Sequence, residues 1–329
     1  MNVWEDEMRT SIWAAFALGV VTAHGPTGPA TAQSWPERSV RIVIPLPAGS
    51  PSDVALRRLA EKLSERWAQP VVVENKQGAD GIPAVMAVLG ARDNHTLLFS
   101  FPGVISINPF LHEKLPYDPK ELLPIAPVLD NFIGFAASSA LGVNTLAELV
   151  AAAQANPGKI SWSALPGVPN YVFLALQKRH GVDAVRIAYR DFAPAYQDLH
   201  QGRVQVLVAG ITNFMAQRQA GATKILAVVN SARAPLAADV PTVAEAGFPE
   251  LTFDSPVGLY APRDLPPVAV ERIAADVRAI TSDVGFRQKL IDTGVLPRNG
   301  TPAEFTVAIE EQRDKIAAIH AATSGKDRP

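Results

Sequence analysis

The sequence predicts an α/β fold made of two lobes. Strand-like and helix-like segments alternate nearly throughout the chain, which is typical of α/β proteins with mostly parallel sheets. The 329 residues are enough for two domains, and the middle of the chain differs in style from its two ends. We therefore expect the chain to leave the first lobe near Asp130 and to return near Ser255. Two lobes joined by two crossings enclose a cleft, the usual place for a ligand.

Lobe 1 is predicted to comprise residues 33–130 and 256–329. Its first strand, "VRIVI" at 40–44, leads into a helix that we expect to begin at Asp53, whose carboxylate would cap backbone N–H groups. Strands follow at 70–74 and 96–100, with a helix near 83–91 between them. After the strand "VGLYAP" two helices end the chain, and the last opens with Thr301, Pro302 and Glu304 in the order of a capping box.

Lobe 2 is predicted to comprise residues 131–255. The strand "FIGFAAS" opens it, and a helix from Thr145 to Ala155 follows. The alternation then continues through three strand–helix units, whose helices begin near Asn170, Phe192 and Asn213, and ends with the strand "ILAVV".

Residues 1–32 are predicted to be a removable signal peptide. The apolar run "SIWAAFALGVVTA" is too short to span a bilayer, which needs about 20 residues, and the small residues Ala30 and Ala32 suit a cleavage site. The acidic "WEDE" before the run does not suit an export signal, whereas a start at Met8 would place Arg9 there. We expect a periplasmic protein, and N-terminal sequencing of a precursor trapped in the cytoplasm tests the start: a precursor that begins at Met1 would contradict translation from Met8.

Composition argues against several functional classes. The chain has 30 Lys and Arg against 32 Asp and Glu, and residues 1–32 hold one basic and three acidic residues, so the remainder is neutral and has no basic run. Nucleic-acid binding is therefore not expected. Six scattered histidines and no cysteines give no spacing for a metal site. We also find no nucleophile elbow and no glycine-rich nucleotide loop, so we predict no catalytic residue, no metal and no cofactor.

Three loops rich in small residues and proline lie between a predicted strand and a predicted helix. They are "PLPAGSPSD" at 45–53, "SALPGVPN" at 163–170 and "YRDFAPA" at 189–195. Such loops place backbone N–H groups and the positive end of a helix dipole at the carboxyl edge of a sheet. This arrangement accepts an anion without a lysine or arginine, and a carboxylate is the small anion that we expect.

The chain from Trp35 onward resembles the substrate-binding proteins of tripartite tricarboxylate transporters, the TctC or Bug family of periplasmic solute receptors. The phrases that carry the resemblance occur in order along the chain: "WPERSVRIVIPLPAGSPSD", "QPVVVEN", "INPFLHEKLPYDP" and "DVPTVAEAGFP". The resemblance implies a type 2 periplasmic-binding-protein-like fold that closes on a small organic carboxylate and delivers it to membrane permease subunits.

In this family the loops at 45–53 and 163–170 hold one ligand carboxylate from opposite lobes. Carried onto this sequence, the predicted ligand-binding residues of lobe 1 are Leu46, Pro47, Ala48, Gly49, Ser50, Asp53, Ser100 and Phe101. Those of lobe 2 are Ser163, Ala164, Leu165, Gly167, Asn170, Asp191, Phe192 and Ala209.

Several positions depart from the family pattern. Ser50 stands where the family prefers glycine, which adds a hydroxyl and restricts the backbone. Pro166 and Pro169 stiffen a loop that usually carries small hydroxyls, and Ala209 replaces a common aspartate. These departures favour a more apolar, bulkier organic acid or, as an alternative, a copy that no longer serves transport.

We therefore predict a monomeric periplasmic solute-binding protein that performs no chemistry. Two alternatives stay open. One is a ligand-sensing partner of a membrane receptor, and the other is an enzyme acting on a carboxylic acid, against which the missing base–nucleophile pairs argue.

Overall fold

The computed structural model describes residues 35–189 and 192–323. The predicted signal peptide, residues 1–32, and Asp191 lie outside the described residues. Contacts divide the chain into residues 1–37 and 38–329, and the fold presented here is that of the second unit.

Eleven strands are present in the described part of the chain. In chain order they are β1 Val40–Ile44, β2 Val71–Asn75, β3 Thr96–Ser100, β4 Leu122–Asp130, β5 Ile133–Ser138, β6 Ile160–Ala164, β7 Ala184–Arg186, β8 Val206–Gly210, β9 Thr223–Val228, β10 Pro256–Pro262 and β11 Leu296–Pro297.

Eleven α-helices accompany the strands within the same residues. They are α1 Pro51–Trp67, α2 Ile82–Ala91, α3 Gly103–Ser106, α4 Asn108–Leu111, α5 Leu146–Ala155, α6 Val168–His180, α7 Phe192–His200, α8 Met215–Gln219, α9 Pro267–Ser282, α10 Val284–Ile291 and α11 Pro302–Thr323. No described helix combines the length and the apolar composition that a membrane span requires.

The strands form two sheets, which confirms the predicted α/β class. The first sheet has the order β11-β4-β10-β3-β1-β2 and the second has the order β7-β6-β8-β5-β9. The expectation of mostly parallel sheets was wrong, since five of the nine described strand pairings are antiparallel. Parallel pairs occur where a helix connects successive strands, as in β1-α1-β2. The strands β5 and β10 instead enter their sheets directly from the other sheet, so no helical crossover fixes their direction.

Two segments connect the sheets. The first crossing, Asn131 and Phe132, joins β4 to β5, and the second crossing, residues 229–255, joins β9 to β10. The first crossing begins directly after Asp130 and the second ends at Ser255, and the exact limits of the two lobes stay a prediction.

Apolar faces of both sheets are covered by helices. In the first sheet Val43, Leu98 and Tyr260 pack with residues of α2 and with Phe305 of α11. In the second sheet Phe135 and Trp162 pack with α5 and α6, and Ile316 of α11 joins the same cluster. The last helix therefore packs against both sheets, although the sequence assigned it to lobe 1 alone.

Candidate functional site

The first loop, residues 45–50, follows the carboxyl end of β1 and leads into α1. The helix begins at Pro51 rather than at Asp53, because Ser50 is its N-cap: the Ser50 hydroxyl accepts a hydrogen bond from the Asp53 N–H at 3.4 Å. Proline suits the first helical position, where no N–H is needed. Gly49 has φ +81, a backbone conformation that favours glycine.

The buried Asp53 carboxylate fixes the conformation of the first loop through hydrogen bonds. The side chain is 1% exposed, and its carboxylate accepts hydrogen bonds from Gly49 N at 2.9 Å, Arg57 Nε at 2.9 Å and Asn75 Nδ2 at 2.8 Å. The same Asn75 amide donates to the carbonyl of Leu46 at 2.9 Å. Burial raises the pKa of Asp53, but the hydrogen bonds from Arg57, Asn75 and Gly49 outweigh burial and leave the pKa below its ordinary value. The carboxylate is therefore ionised, and both its oxygens are already occupied.

Between Pro47 and Asp53, at the start of α1, the backbone N–H groups of Ala48 and Ser52 have no hydrogen-bond partner among the described residues. Pro47 and Pro51 have no N–H, and the N–H groups of Gly49, Ser50 and Asp53 are used within the loop. The Ala48 and Ser52 N–H groups lie at the positive end of a 17-residue helix. Such a helix end stabilises an anion.

The end of β3 adds the hydroxyl group of Ser100 to the predicted residues of lobe 1. Ser100 is 1% exposed, and its Oγ is buried without a hydrogen-bond partner in the described structure. Buried polar atoms normally have partners. Phe101, the next residue, is half-buried.

The second loop, residues 165–167, follows the carboxyl end of β6 and leads into α6. Leu165 donates its N–H to the Val208 carbonyl at 3.1 Å, and Gly167 has φ +87 immediately before the helix. The N–H groups of Gly167 and Val168 have no partner among the described residues. The second loop therefore offers two N–H groups at a helix N-terminus, as the first loop does.

Further predicted residues of lobe 2 lie on β6, α6 and α7. Asn170, in the first turn of α6, is 9% exposed, and its Oδ1 is buried without a partner in the described structure. Ser163 and Ala164 are buried at the end of β6. Phe192 is the first residue of α7.

The helix that follows Ser100 lies next to the second loop. Ile107, directly after α3, has its Cδ1 3.7 Å from the position that a Cβ on Gly167 would occupy. On the other side of the same segment, Val104 and Pro45 lie 3.2 and 3.3 Å from the corresponding position on Gly81. The segment from Val104 to Ile107 therefore lies next to Gly167 at one end and, through Gly81, near Pro45 at the start of the first loop at the other end.

Ala209 belongs to the apolar cluster against which Leu165 of the second loop packs. It is 0% exposed, and the cluster also contains Phe132, Ala195 and Phe214. The methyl group of Ala209 therefore supports the loop through apolar packing.

Sequence reasoning missed two tyrosines beside the same cluster. Tyr189 and Tyr196 are partly buried against it, and the Tyr189 hydroxyl donates to Asp198 Oδ2 at 2.6 Å. Burial raises the pKa of Tyr196 to about 12, so its hydroxyl stays neutral at ordinary pH. The pattern "YRDFAPAY" places both at the third loop, which was a signal that sequence reasoning left unused.

A separate groove lies away from these loops. It has a volume of about 360 Å³ and runs between the end of α6, residues 249–253 and the end of α11. None of the predicted ligand-binding residues lines it. The described residues also contain no cluster of His, Asp or Glu that could hold a metal ion.

Comparisons with known proteins identify the relatives of the chain. The sequence profile of the family described as "Tripartite tricarboxylate transporter family receptor" matches residues 55–324. A UPF0065 protein of Bordetella bronchiseptica is 32% identical over 292 residues, which are 86% of this chain and 85% of that protein.

Solved structures are similar over most of the chain. A protein of R. palustris with adipate has a TM-score of 0.76 and 26% identity, with 88% of this chain and 99% of that chain covered. MatC from Rhodopseudomonas palustris with bound malate has a TM-score of 0.72 and 26% identity, with 87% and 99% covered. These likenesses confirm the periplasmic-binding-protein-like fold.

Proposed function

The chain belongs to the tripartite tricarboxylate transporter receptor family, and we propose that it captures a small organic carboxylate between its first and second loops. The backbone N–H groups of Ala48, Ser52, Gly167 and Val168 lie at the starts of α1 and α6 without a partner among the described residues, and these four are the observation that carries this proposal. They are donors at two helix N-termini, and a carboxylate has two oxygens that can accept from them.

The remaining polar groups fit the same ligand. The Ser100 hydroxyl can donate to a carboxylate oxygen, and the Asn170 side-chain amide offers a donor beside its unpartnered Oδ1. Asp53 contributes indirectly, because its oxygens are occupied by the chain itself. Leu46, Pro47 and Phe101 would supply apolar contacts around the carboxylate.

The proposal extends to transport. Adipate and malate occupy the two related R. palustris structures, and both are dicarboxylates. We infer that the present chain, after export to the periplasm, delivers its acid as a monomer to the permease subunits of a tripartite tricarboxylate transporter. Delivery requires that the acid binds the closed form of the receptor better than the open form.

A glycine pair tests the site. Gly49→Val at φ +81 should abolish binding of any acid that stabilises the wild type, because valine disfavours the backbone conformation that orients the Ala48 and Ser52 N–H groups. Gly142→Val is the matched control, since Gly142 has φ +78, no atom within 4 Å of its Cβ position and no place in either loop.

The measurement is a thermal-shift screen with adipate, malate and a panel of organic acids, followed by calorimetry on each acid that raises the melting temperature. We expect Gly142→Val to bind like the wild type and Gly49→Val not to bind. Retained affinity in Gly49→Val, or a wild type that no organic acid stabilises, would contradict the proposal.

A further inference from the structure

A short chain of hydrogen bonds joins the start of α1 to the first crossing. Ser52, the second residue of α1, is 3% exposed. Its hydroxyl lies 3.2 Å from Nδ2 and 3.4 Å from Oδ1 of Asn131. One pair of side chains therefore connects the helix of the first loop to the segment that leads into the second sheet.

Asn230 extends this chain of hydrogen bonds to the second crossing. Its Nδ2 donates to the Asn131 carbonyl at 2.9 Å, and its Oδ1 accepts from Ile133 N at 3.1 Å. The N–H of Asn131 points to the same crossing, since it donates to the Ser255 carbonyl at 3.4 Å. Asn131 thus contacts α1 through its side chain and the second crossing through its backbone.

Ser52 links the candidate site to this chain of hydrogen bonds. Its backbone N–H is one of the four without a described partner, whereas its hydroxyl is engaged with Asn131. An acid that accepts the Ser52 N–H would therefore order the same residue that holds the first crossing.

We propose that Ser52 and Asn131 are a positioning pair that couples the occupancy of the site to the orientation of the two sheets. The role of the acid rests on the function proposed above, whereas the role of the pair in holding the crossing does not. If the buried Ser52 hydroxyl and the half-buried Asn131 amide separate, each loses its hydrogen-bond partner. The free-energy cost of that loss favours the hydrogen-bonded arrangement of the pair. The coupling is physical because one side-chain contact belongs both to the site and to the crossing.

Spin labels test the pair without any ligand. The chain has no cysteine, so labels can be attached at Glu61→Cys on α1 and Ala151→Cys on α5. Both positions are exposed, and the two helices belong to different sheets. Double electron–electron resonance should give a narrow distance distribution in the labelled parent and a broader one after Ser52→Ala or Asn131→Ala. Distributions as narrow as in the parent would overturn the proposal.

Ser64→Ala is the matched control. Ser64 belongs to the same helix, and its hydroxyl accepts from Val71 N at 2.8 Å without touching either crossing. Its loss should leave the distance distribution unchanged, although it removes a hydrogen bond of the same kind. Broadening as large as that of the two test variants would assign the effect to general destabilisation and would also overturn the proposal.

Adipate and malate titrations add a second arm. Ser52→Ala and Asn131→Ala should each weaken acid binding about 3- to 10-fold, and the double variant should bind no more weakly than the weaker single variant, because both changes remove one contact. Fully additive losses would contradict a shared contact. A parent that binds neither of these acids nor any other acid of the panel would count against the proposed function, while the distance measurement would still decide the role of the pair.

Discussion

The first and second loops present the same groups but are held in different ways. Side-chain hydrogen bonds hold the first loop: Asp53 and Asn75 fasten Gly49 and Leu46, and Ser50 caps the helix. Restricted backbones and apolar packing hold the second loop, where Gly167 lies between two prolines and Leu165 packs on the cluster around Ala209.

This difference explains how one site can be assembled from unlike sequences. A carboxylate needs N–H groups in fixed positions, and either a buried carboxylate beneath the loop or a stiff chain can fix them. The first loop should therefore depend on individual polar side chains and on pH, whereas the second, which several restricted positions and the Leu165 packing hold together, should tolerate the replacement of a single proline.

Asp53→Ala should have the largest effect. The change leaves the Gly49 N–H without its acceptor and removes one acceptor each from Arg57 and Asn75, and we expect a loss of about 3 kcal/mol in the free energy of unfolding. Acid binding should be lost as well, because the Gly49 turn is no longer held. Urea denaturation and calorimetry measure the two effects.

Glu65→Ala is the control on the same helix. Its pair with Lys62, at 2.8 Å, is exposed and screened by solvent, so its loss should change the free energy of unfolding much less than the loss of Asp53 does. If Asp53→Ala costs no more than Glu65→Ala, the first loop is not held by its carboxylate.

Lowering the pH should reduce the contribution of Asp53 to the free energy of unfolding. The folded pKa of Asp53 lies below its ordinary value of 3.8, so its ionised form stabilises the fold fully above that value, and the contribution is lost as the pH falls through the folded pKa. The difference in unfolding free energy between wild type and Asp53→Asn should therefore shrink when the pH is lowered from about 7 to about 3. A difference that grows on acidification would reverse the sign and refute this account of Asp53.

Pro169→Ala should have the smallest effect. The proline restricts the unfolded chain, so its loss should cost about 0.4–1 kcal/mol and change acid affinity little, since Gly167 and the Leu165 packing remain. Pro267→Ala at the first position of α9 gives a comparable change far from both loops. A loss in Pro169→Ala as large as that in Asp53→Ala would show that the prolines hold the second loop to the same degree.

Much of the fold could be predicted because its signals are local. Alternating strands and helices, and loops of glycine and proline before helix starts, follow from short stretches of chain, so β1, the first loop and α1 were placed nearly correctly. The antiparallel direction of β5 and β10 depends on which sheet each strand joins. No short segment of the sequence indicates which sheet that is.

The hydrogen bonds within the site could not be predicted for the same reason. Asn75 reaches Asp53 from the next strand, and Asn131 reaches Ser52 across 79 positions of sequence. From sequence Asp53 was expected to cap the helix, whereas the structure gives this role to Ser50, whose hydroxyl accepts the Asp53 N–H.

The central claim is that both loops donate N–H groups to one carboxylate. Amide nuclear magnetic resonance during titration with an acid that stabilises the protein tests it most directly. We predict that the amide signals of Ala48, Ser52, Gly167 and Val168 shift together along one binding curve. Unchanged signals from these four amides, with shifts confined to Ala175, Phe253 and Ile319 in the separate groove, would contradict the claim.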